Sequence, residues 1–382
     1  MGLGGGNMLS IQELPTPLVV VDLDKLEFNI KEVAKEAKKH NKQLFPMVKT
    51  HKSVYVANLQ KKAGARGFLC GTIDEAEALA EAGLGETLML AYPIVDKENF
   101  SRVARLIEDG LRVIFRIDSV DTAEFLDAEL KKRGLRAEFT IIVDTGGGRY
   151  GIEPEKVGNF AKRVEEYSNL EFVGITTHPG HVYNATNPKE VRAIAKQATK
   201  GMKIALSSLR QWNMNPEIVG TGSTPTFRFD IKEEIYTHLF PGNYVYYDRQ
   251  QALIFGSTNL ERCALTIFVT VTSIAERCGK RLGLINAGSL YFDKRDHEIL
   301  ASFGQVAEYP KATLIGLSQE VGKIDVTNEP DIKVGEKINV IPNHSCFSNN
   351  ATSYIIGHRK GIVRRIIKVT ARSGSNMHGL FL

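Results

Sequence analysis

Apolar positions along this chain recur in two alternating rhythms. Short apolar, β-branched runs predict strands near 43–49, 67–71, 87–91, 112–116, 138–144, 171–177, 217–221 and 236–240. Between them, apolar residues return every three or four positions, which predicts helices near 53–63, 73–83, 96–109, 120–133, 155–167 and 188–210. An earlier strand at 17–22 leads into a helix running to about His40, with Asp24 as its cap. Asp74, and Asp118 or Ser119, stand where N-caps belong; Gly83, Gly110 and Gly134 stand where helices should stop. Strand–helix alternation predicts a parallel sheet, and eight repeats predict an α/β fold of the closed (β/α)8, TIM-type barrel over residues 24–250. An open doubly wound sheet would carry a Gly-x-Gly-x-x-Gly turn after its first strand, and none is there. The 17–22 strand is a ninth and is expected to pair with the C-terminal region. After Gln251 the long helical patterns stop. Thr266–Ser273, Arg281–Asn286, Lys337–Pro342 and Ile362–Thr370 are short and β-branched. They predict a mostly-β domain made of residues 8–23 and 251–382.

The 382 residues suffice for two domains, and 43% hydrophobic with 24% charged residues is ordinary globular composition. A net charge of +5 without a basic block argues against nucleic acid and at most favours an anionic ligand. No apolar run is long enough for a membrane span. Met1–Asn7 is Gly-rich without a charged or apolar signal region, so a tail on a cytoplasmic protein is expected. Cys70, Cys263, Cys278 and Cys346 have neither disulfide-framework nor CxxC spacing, which predicts reduced thiols.

Barrel active sites lie at the C-terminal strand ends, often with a phosphate held after strands seven and eight. There the sequence has Gly220-Thr-Gly-Ser-Thr-Pro-Thr226, with Ser223 and Thr224 as hydroxyl donors, and Pro241-Gly-Asn-Tyr244, with Gly242, Asn243 and Tyr244. Both segments also read as ordinary Gly/Pro turns. The first barrel strand shows Phe45, Met47 and Lys49 in alternation. A cation ending an apolar strand must be paired, neutralised, led out to water or covalently used. Lys49 is read as used, as the imine-forming lysine of a pyridoxal phosphate (PLP) enzyme. The fifth strand ends in Asp144-Thr-Gly-Gly-Gly-Arg149, which aims Arg149 at a phenolate-like oxygen or a carboxylate, or pairs it with an acid. The sixth ends in His178-Pro-Gly-His-Val-Tyr183, where His178 and Tyr183 are candidates. In Pro342-Asn-His-Ser-Cys346, read as extended chain, His344 and Cys346 share a face. Imidazole plus thiolate favours Zn2+ over Mn2+ or Mg2+, and two protein ligands suit an open catalytic site better than a structural one.

In this order, Val-Lys-Thr-His-Lys, Asp-Thr-Gly-x-x-Arg, Gly-Ser-Thr-Pro-Thr, Pro-Gly-Asn-Tyr, Leu-Ser-Gln-Glu and Pro-Asn-His-Ser-Cys resemble fold-type III PLP enzymes. They are most similar to zinc-dependent D-serine dehydratases, with D-threonine aldolase and D-threo-3-hydroxyaspartate dehydratase as relatives. The resemblance implies an alanine racemase-type barrel with a β domain and a homodimer. It implies Lys49 as the PLP lysine, Arg149 near the ring oxygen, and Thr224, Gly242 and Asn243 at the phosphate. His344 and Cys346 match the zinc pair, and a Cys rather than an Asp points to the dehydratase side. The implied reaction is loss of the β-hydroxyl from a D-3-hydroxy amino acid, with Lys49 taking the Cα proton. Three positions depart from the pattern: Phe45 and Met47 replace Arg and His, and Val321 replaces a common His. Retro-aldol cleavage to glycine and an aldehyde, dehydration of D-threo-3-hydroxyaspartate, a racemase with Tyr291 as second base, a PLP carrier and an inactive homologue are the other readings.

Overall fold

The computed structural model describes residues 9–277, 279–293 and 297–372. Met1–Asn7 and Cys278 therefore lie outside the described residues. The described residues form two compact units, one of Ile30–Tyr244 with residues 370–372, the other of residues 9–29 with the described part of Val245–Val369.

In the first unit the eight expected strands are Gln43–Leu44, Phe68–Cys70, Thr87–Leu90, Arg112–Ile117, Ala137–Ile142, Leu170–Thr177, Ile218–Thr221 and His238–Leu239. Each pairs in parallel with its neighbour, and Gln43–Leu44 pairs back onto His238–Leu239. A bridge between Met47 and Leu69 closes the ring. The first strand is shorter than its alternation suggests. Phe45 N–H still bonds Leu239 O at 3.0 Å, but Pro241, just past the neighbouring strand, has no N–H to return to Phe45 O, so regular pairing stops at Leu44. Met47 rejoins through its own N–H to Pro241 O at 3.0 Å, and Val48–Thr50 turn into a 3-10 helix. Phe45, Met47, Leu69, Met89, Ile114 and Phe240 fill the barrel interior.

The helices follow the 3.6-residue pattern, but two caps differ from expectation. Thr72, not Asp74, caps Ile73–Glu81 by accepting from Glu75 N–H. Asp22, not Asp24, accepts from the first N–H groups of Leu23–Lys39. Ser119 caps Val120–Arg133 as expected, and Gly134 ends that helix at φ 66°.

The second unit is a nine-stranded sheet in the order Lys280–Ile285, Gly322–Asp325, Thr313–Leu317, Gly304–Val306, Lys337–Pro342, Leu265–Arg277, Leu18–Asp22, Tyr354–Arg359 and Ile362–Lys368. Leu18–Asp22 lies antiparallel to Leu265–Arg277 and parallel to Tyr354–Arg359. The ninth strand thus joins the C-terminal sheet. Its Val19, Val20 and Val21 are buried because both neighbours cover them. Among the described residues no helix is long and apolar enough to cross a membrane.

Candidate functional site

The barrel strands run parallel, so their C-terminal ends meet at one mouth, where the sequence-predicted barrel residues gather. Lys49 stands in the 3-10 turn Val48–Thr50 rather than on a strand, and it is exposed. Its stem runs beside Gly71, where an added Cβ would come within 3.3 Å of Lys49 Cβ and 3.0 Å of Met47 Cε. The His178 ring bonds Gly222 O through Nδ1 at 2.5 Å. A carbonyl can only accept, so Nδ1 carries the proton and Nε2 keeps the lone pair. Burial first, then the charge of Lys49, push this imidazole down to about 3. Arg149 is exposed and its guanidinium lies against the adjacent rings of Tyr92 and Tyr150, 5.7 and 5.6 Å from their centroids. Tyr183 sits in the turn Gly180–Asn184.

The two Gly/Pro turns are joined directly. Tyr244 N–H donates to Thr224 Oγ1 at 3.2 Å. Gly242 is wedged against Met47 and Thr50, with an added Cβ 3.1 Å from each. Gly222 is glycine for a packing reason, because its Cβ would lie 2.4 Å from Phe240 Cβ. Ser223, Thr224, Gly242 and Asn243 are all buried. Among the described residues the backbone N–H groups of Ser223, Thr224 and Gly242 meet no protein acceptor. Orphan buried donors are costly unless an acceptor arrives, so these turns suit an anion.

Several site residues carry no motif and escaped the sequence reading. Arg116 is 4% exposed and bonds Thr176 Oγ1 and Ala91 O, while its Nη2 has no partner. Burial pushes it down to about 10, with the Tyr92 phenol opposing and Arg149 adding to the shift. A charged residue inside the apolar run Val113–Ile117 was the available signal. Lys52 and Glu75 form a buried pair at 2.5 Å, and Glu75 also accepts from Gly71 N–H at 2.7 Å. His51 accepts from Ser53 N–H on Nδ1, so its Nε2–H donates to Gln60 Oε1 at 3.2 Å. Gln60 in turn donates to Tyr244 O–H at 3.0 Å, which braces the second turn.

These groups fit PLP. The mouth offers a lysine, two guanidinium groups, a buried nitrogen without an acceptor, and orphan N–H groups at two turns. A phosphorylated aromatic aldehyde with ring oxygens supplies the missing acceptors and an electrophile for the amine.

His344 and Cys346 belong to the other unit. Their chain is not extended, because His344 is the N-cap of the helix Ser345–Asn350 and Cys346 lies within it. His344 Nδ1 lies 2.9 Å from Gln250 Oε1 and 3.7 Å from Asp248 Oδ2. Both are acceptors, which places the ring proton on Nδ1 and the lone pair on Nε2, the form a metal needs. Asp248 is held by the N–H groups of Ser345 and Gln251. Gln250 opens a single π-helical turn, Gln250–Ile254, a kind of irregularity that re-aims side chains. Tyr246 O–H is buried without a partner, and burial followed by the Cys346 charge push it up. This donor set fits a soft divalent ion with an open coordination sphere. Among the described residues no cluster of three His, Cys, Asp or Glu side chains forms a closed metal site.

Residues 21–250 match the family described as "Alanine racemase, N-terminal domain". The chain belongs to this family of fold-type III PLP enzymes. Residues 264–357 match a second family, "Putative serine dehydratase domain". The chain is similar to 3-hydroxy-D-aspartate aldolase of Paracoccus denitrificans, 28% identical over 94% of this chain and 92% of that protein. It is 29% identical to D-threo-3-hydroxyaspartate dehydratase of a Delftia species, over 87% and 91%. It is 26% identical to D-serine dehydratase of Dictyostelium discoideum, over 88% and 92%. The solved Delftia structure superposes with a TM-score of 0.84 at 26% identity, covering 94% of this chain and 98% of that one. A cysteine-to-alanine variant of that dehydratase is described as the metal-free form. Its histidine-to-alanine variant has also been solved, and the two altered residues are separated by a single residue, as His344 and Cys346 are here. These relatives are dehydratases and an aldolase by name, and the chain is an enzyme of this family of PLP-dependent lyases.

Proposed function

We propose that this protein is a PLP- and zinc-dependent D-serine dehydratase, converting D-serine to pyruvate and ammonia. The observation that carries the reading is the Lys49 amine at a barrel mouth that also holds Arg116, Arg149 and His178, with orphan N–H groups at both turns. Bound PLP supplies an electron sink for negative charge at Cα, and zinc supplies a Lewis acid for the β-hydroxyl. The chain's own residues do the rest. Lys49 takes the Cα proton on its amine. His178 stays neutral at physiological pH because it is pushed down to about 3, so it adds no competing positive charge beside Lys49. Its fixed Nδ1–H bond to Gly222 orients the ring. Arg149 and Arg116 donate to ring or carboxylate oxygens. Thr224, Ser223, Gly242, Asn243 and Tyr244 hold the phosphate. Gln250 keeps His344 in its metal-ready tautomer.

Lys49→Ala tests the cofactor half, since it should abolish the visible absorbance of bound PLP; an unchanged band would sink the lysine assignment. Incubation with D-serine, D-threonine and D-threo-3-hydroxyaspartate tests the reaction. Pyruvate from D-serine supports the reading, and glycine with acetaldehyde from D-threonine contradicts it. A second reading, dehydration of D-threo-3-hydroxyaspartate, is favoured by the paired guanidinium groups, which suit a second carboxylate. Oxaloacetate from that substrate, with slow turnover of D-serine, would establish it.

A further inference from the structure

Behind the Ser223–Thr224 turn, two hydroxyls lead to a buried carboxyl. Ser223 Oγ and Thr226 Oγ1 are 2.8 Å apart, and Thr226 Oγ1 and Asp230 Oδ2 are 2.6 Å apart. Thr226 N–H donates to Ser223 Oγ at 3.3 Å, so one acceptor site of Ser223 is taken in either case. Asp230 is 1% exposed and Thr226 is fully buried. Each hydroxyl owns one proton, so this chain has two arrangements. If Asp230 is ionised it can only accept. Thr226 then donates to Asp230, Ser223 donates to Thr226, and Ser223 offers the outside only a lone pair. If Asp230 is protonated, its O–H donates to Thr226, Thr226 donates to Ser223, and the Ser223 proton points away from the chain.

We propose that Asp230 is a positioning residue for the cofactor phosphate: as a neutral acid it turns the hydroxyl chain so that Ser223 donates to the phosphate, and as a carboxylate it turns that donor away. The inference rests on the reading of the Gly222–Thr224 turn as the phosphate site. Asp230 belongs to none of the motifs above and touches neither cofactor nor substrate in this scheme. Burial pushes its carboxyl up to about 7, against the Thr226 hydrogen bond and with the help of Glu233. The Tyr236 phenol is the other titratable group against it, itself pushed up by burial and by Asp230. A phosphate dianion nearby raises the carboxyl further and favours the donating arrangement.

The probe is pyridoxine 5′-phosphate, which has no aldehyde and forms no bond to Lys49. Its affinity for the full-length apoprotein is measured by calorimetry from about pH 6 to pH 9, for the wild type, Asp230→Asn and Thr226→Val. An amide does not titrate, and valine breaks the chain. Affinity of the wild type relative to each variant should fall by roughly tenfold across this range, the size of one hydrogen bond to a charged group. Circular dichroism checks that each variant folds; if Asp230→Asn does not, Thr226→Val decides alone. A constant wild-type-to-variant ratio across the range overturns the proposal while leaving the phosphate site intact. Failure of the wild type to bind at any pH overturns the phosphate reading and the proposal together.

Discussion

Glu75→Gln removes the negative half of a buried pair while keeping the side chain's size. Lys52 Nζ lies 2.5 Å from Glu75 Oε1, and the two side chains are 7% and 0% exposed. Burial pushes the Glu75 carboxyl up, and Lys52 is the largest charge pulling it back. Glutamine keeps the volume, but its single oxygen can serve Lys52 or Gly71 N–H, not both, and its NH2 group then faces the other donor. The loss is therefore one charge and one acceptor beside a buried ammonium. Breaking a buried pair from one side costs about 3–5 kcal/mol. Against a total of about 5–15 kcal/mol, that is roughly a fifth of the stability or more. At ~2–4 °C per kcal/mol for a domain the size of Ile30–Tyr244, the melting temperature should fall by about 6–20 °C. Urea and thermal unfolding followed by circular dichroism measure both quantities. Lys52→Met added to Glu75→Gln removes the orphaned charge and should recover most of the loss. A single variant within ~1 kcal/mol of wild type would refute an ionised pair. So would a double variant no more stable than the single one. The same perturbation loosens Gly71, the residue that backs the Lys49 stem, so PLP affinity should weaken along with stability.

Other perturbations follow from the same geometry. His51 and His238 are pushed down to about 3 and about 4, chiefly by burial. Below about pH 6.5 the unfolded chain takes up protons that the folded chain refuses. Stability should thus be full above about pH 6.5 and fall by up to ~1.4 kcal/mol per pH unit for each histidine toward pH 4, as urea midpoints will show; His51→Gln should flatten the slope. Gly222→Ala places a Cβ 2.4 Å from Phe240 Cβ and 2.7 Å from its backbone, a clash costing about 1–3 kcal/mol. It should also displace the His178 acceptor and weaken PLP binding, and retention of wild-type affinity in a folded variant would contradict the packing argument. His344→Ala and Cys346→Ser should each lower zinc content measured by metal analysis. A chelator should stop turnover and zinc restore it, whereas turnover indifferent to both would remove the metal from the mechanism.

Much of this protein was decided locally. Alternation of short apolar runs with 3.6-residue patterns made the barrel legible, because each strand and helix must hide one face from water. The same reading marked the ninth strand at 17–22 as a partner for the C-terminal sheet. The Gly/Pro turns and Lys49 could be placed at one mouth because parallel strands end together. Other features depended on neighbours distant in the chain. Pro241, nearly two hundred residues on, has no N–H to return to Phe45 O and cuts the first strand's ladder short, and Lys49 stands beyond it in a 3-10 turn. Arg116, Glu75 and Gln60 carry no motif, and their importance comes from burial beside Thr176, Lys52 and Tyr244, 60, 23 and 184 residues away, while Asp230 owes its place to burial beside Thr226, four residues away. Asp248 and Gln250 meet His344 across nearly a hundred residues, at separations of 97 for Asp248 to Ser345 and 94 for Gln250 to His344. Sequence alone determines the fold through periodicity, which each segment carries within itself. Protonation, tautomer and donor direction depend on dielectric and partner, and these exist only once the tertiary structure has removed the water.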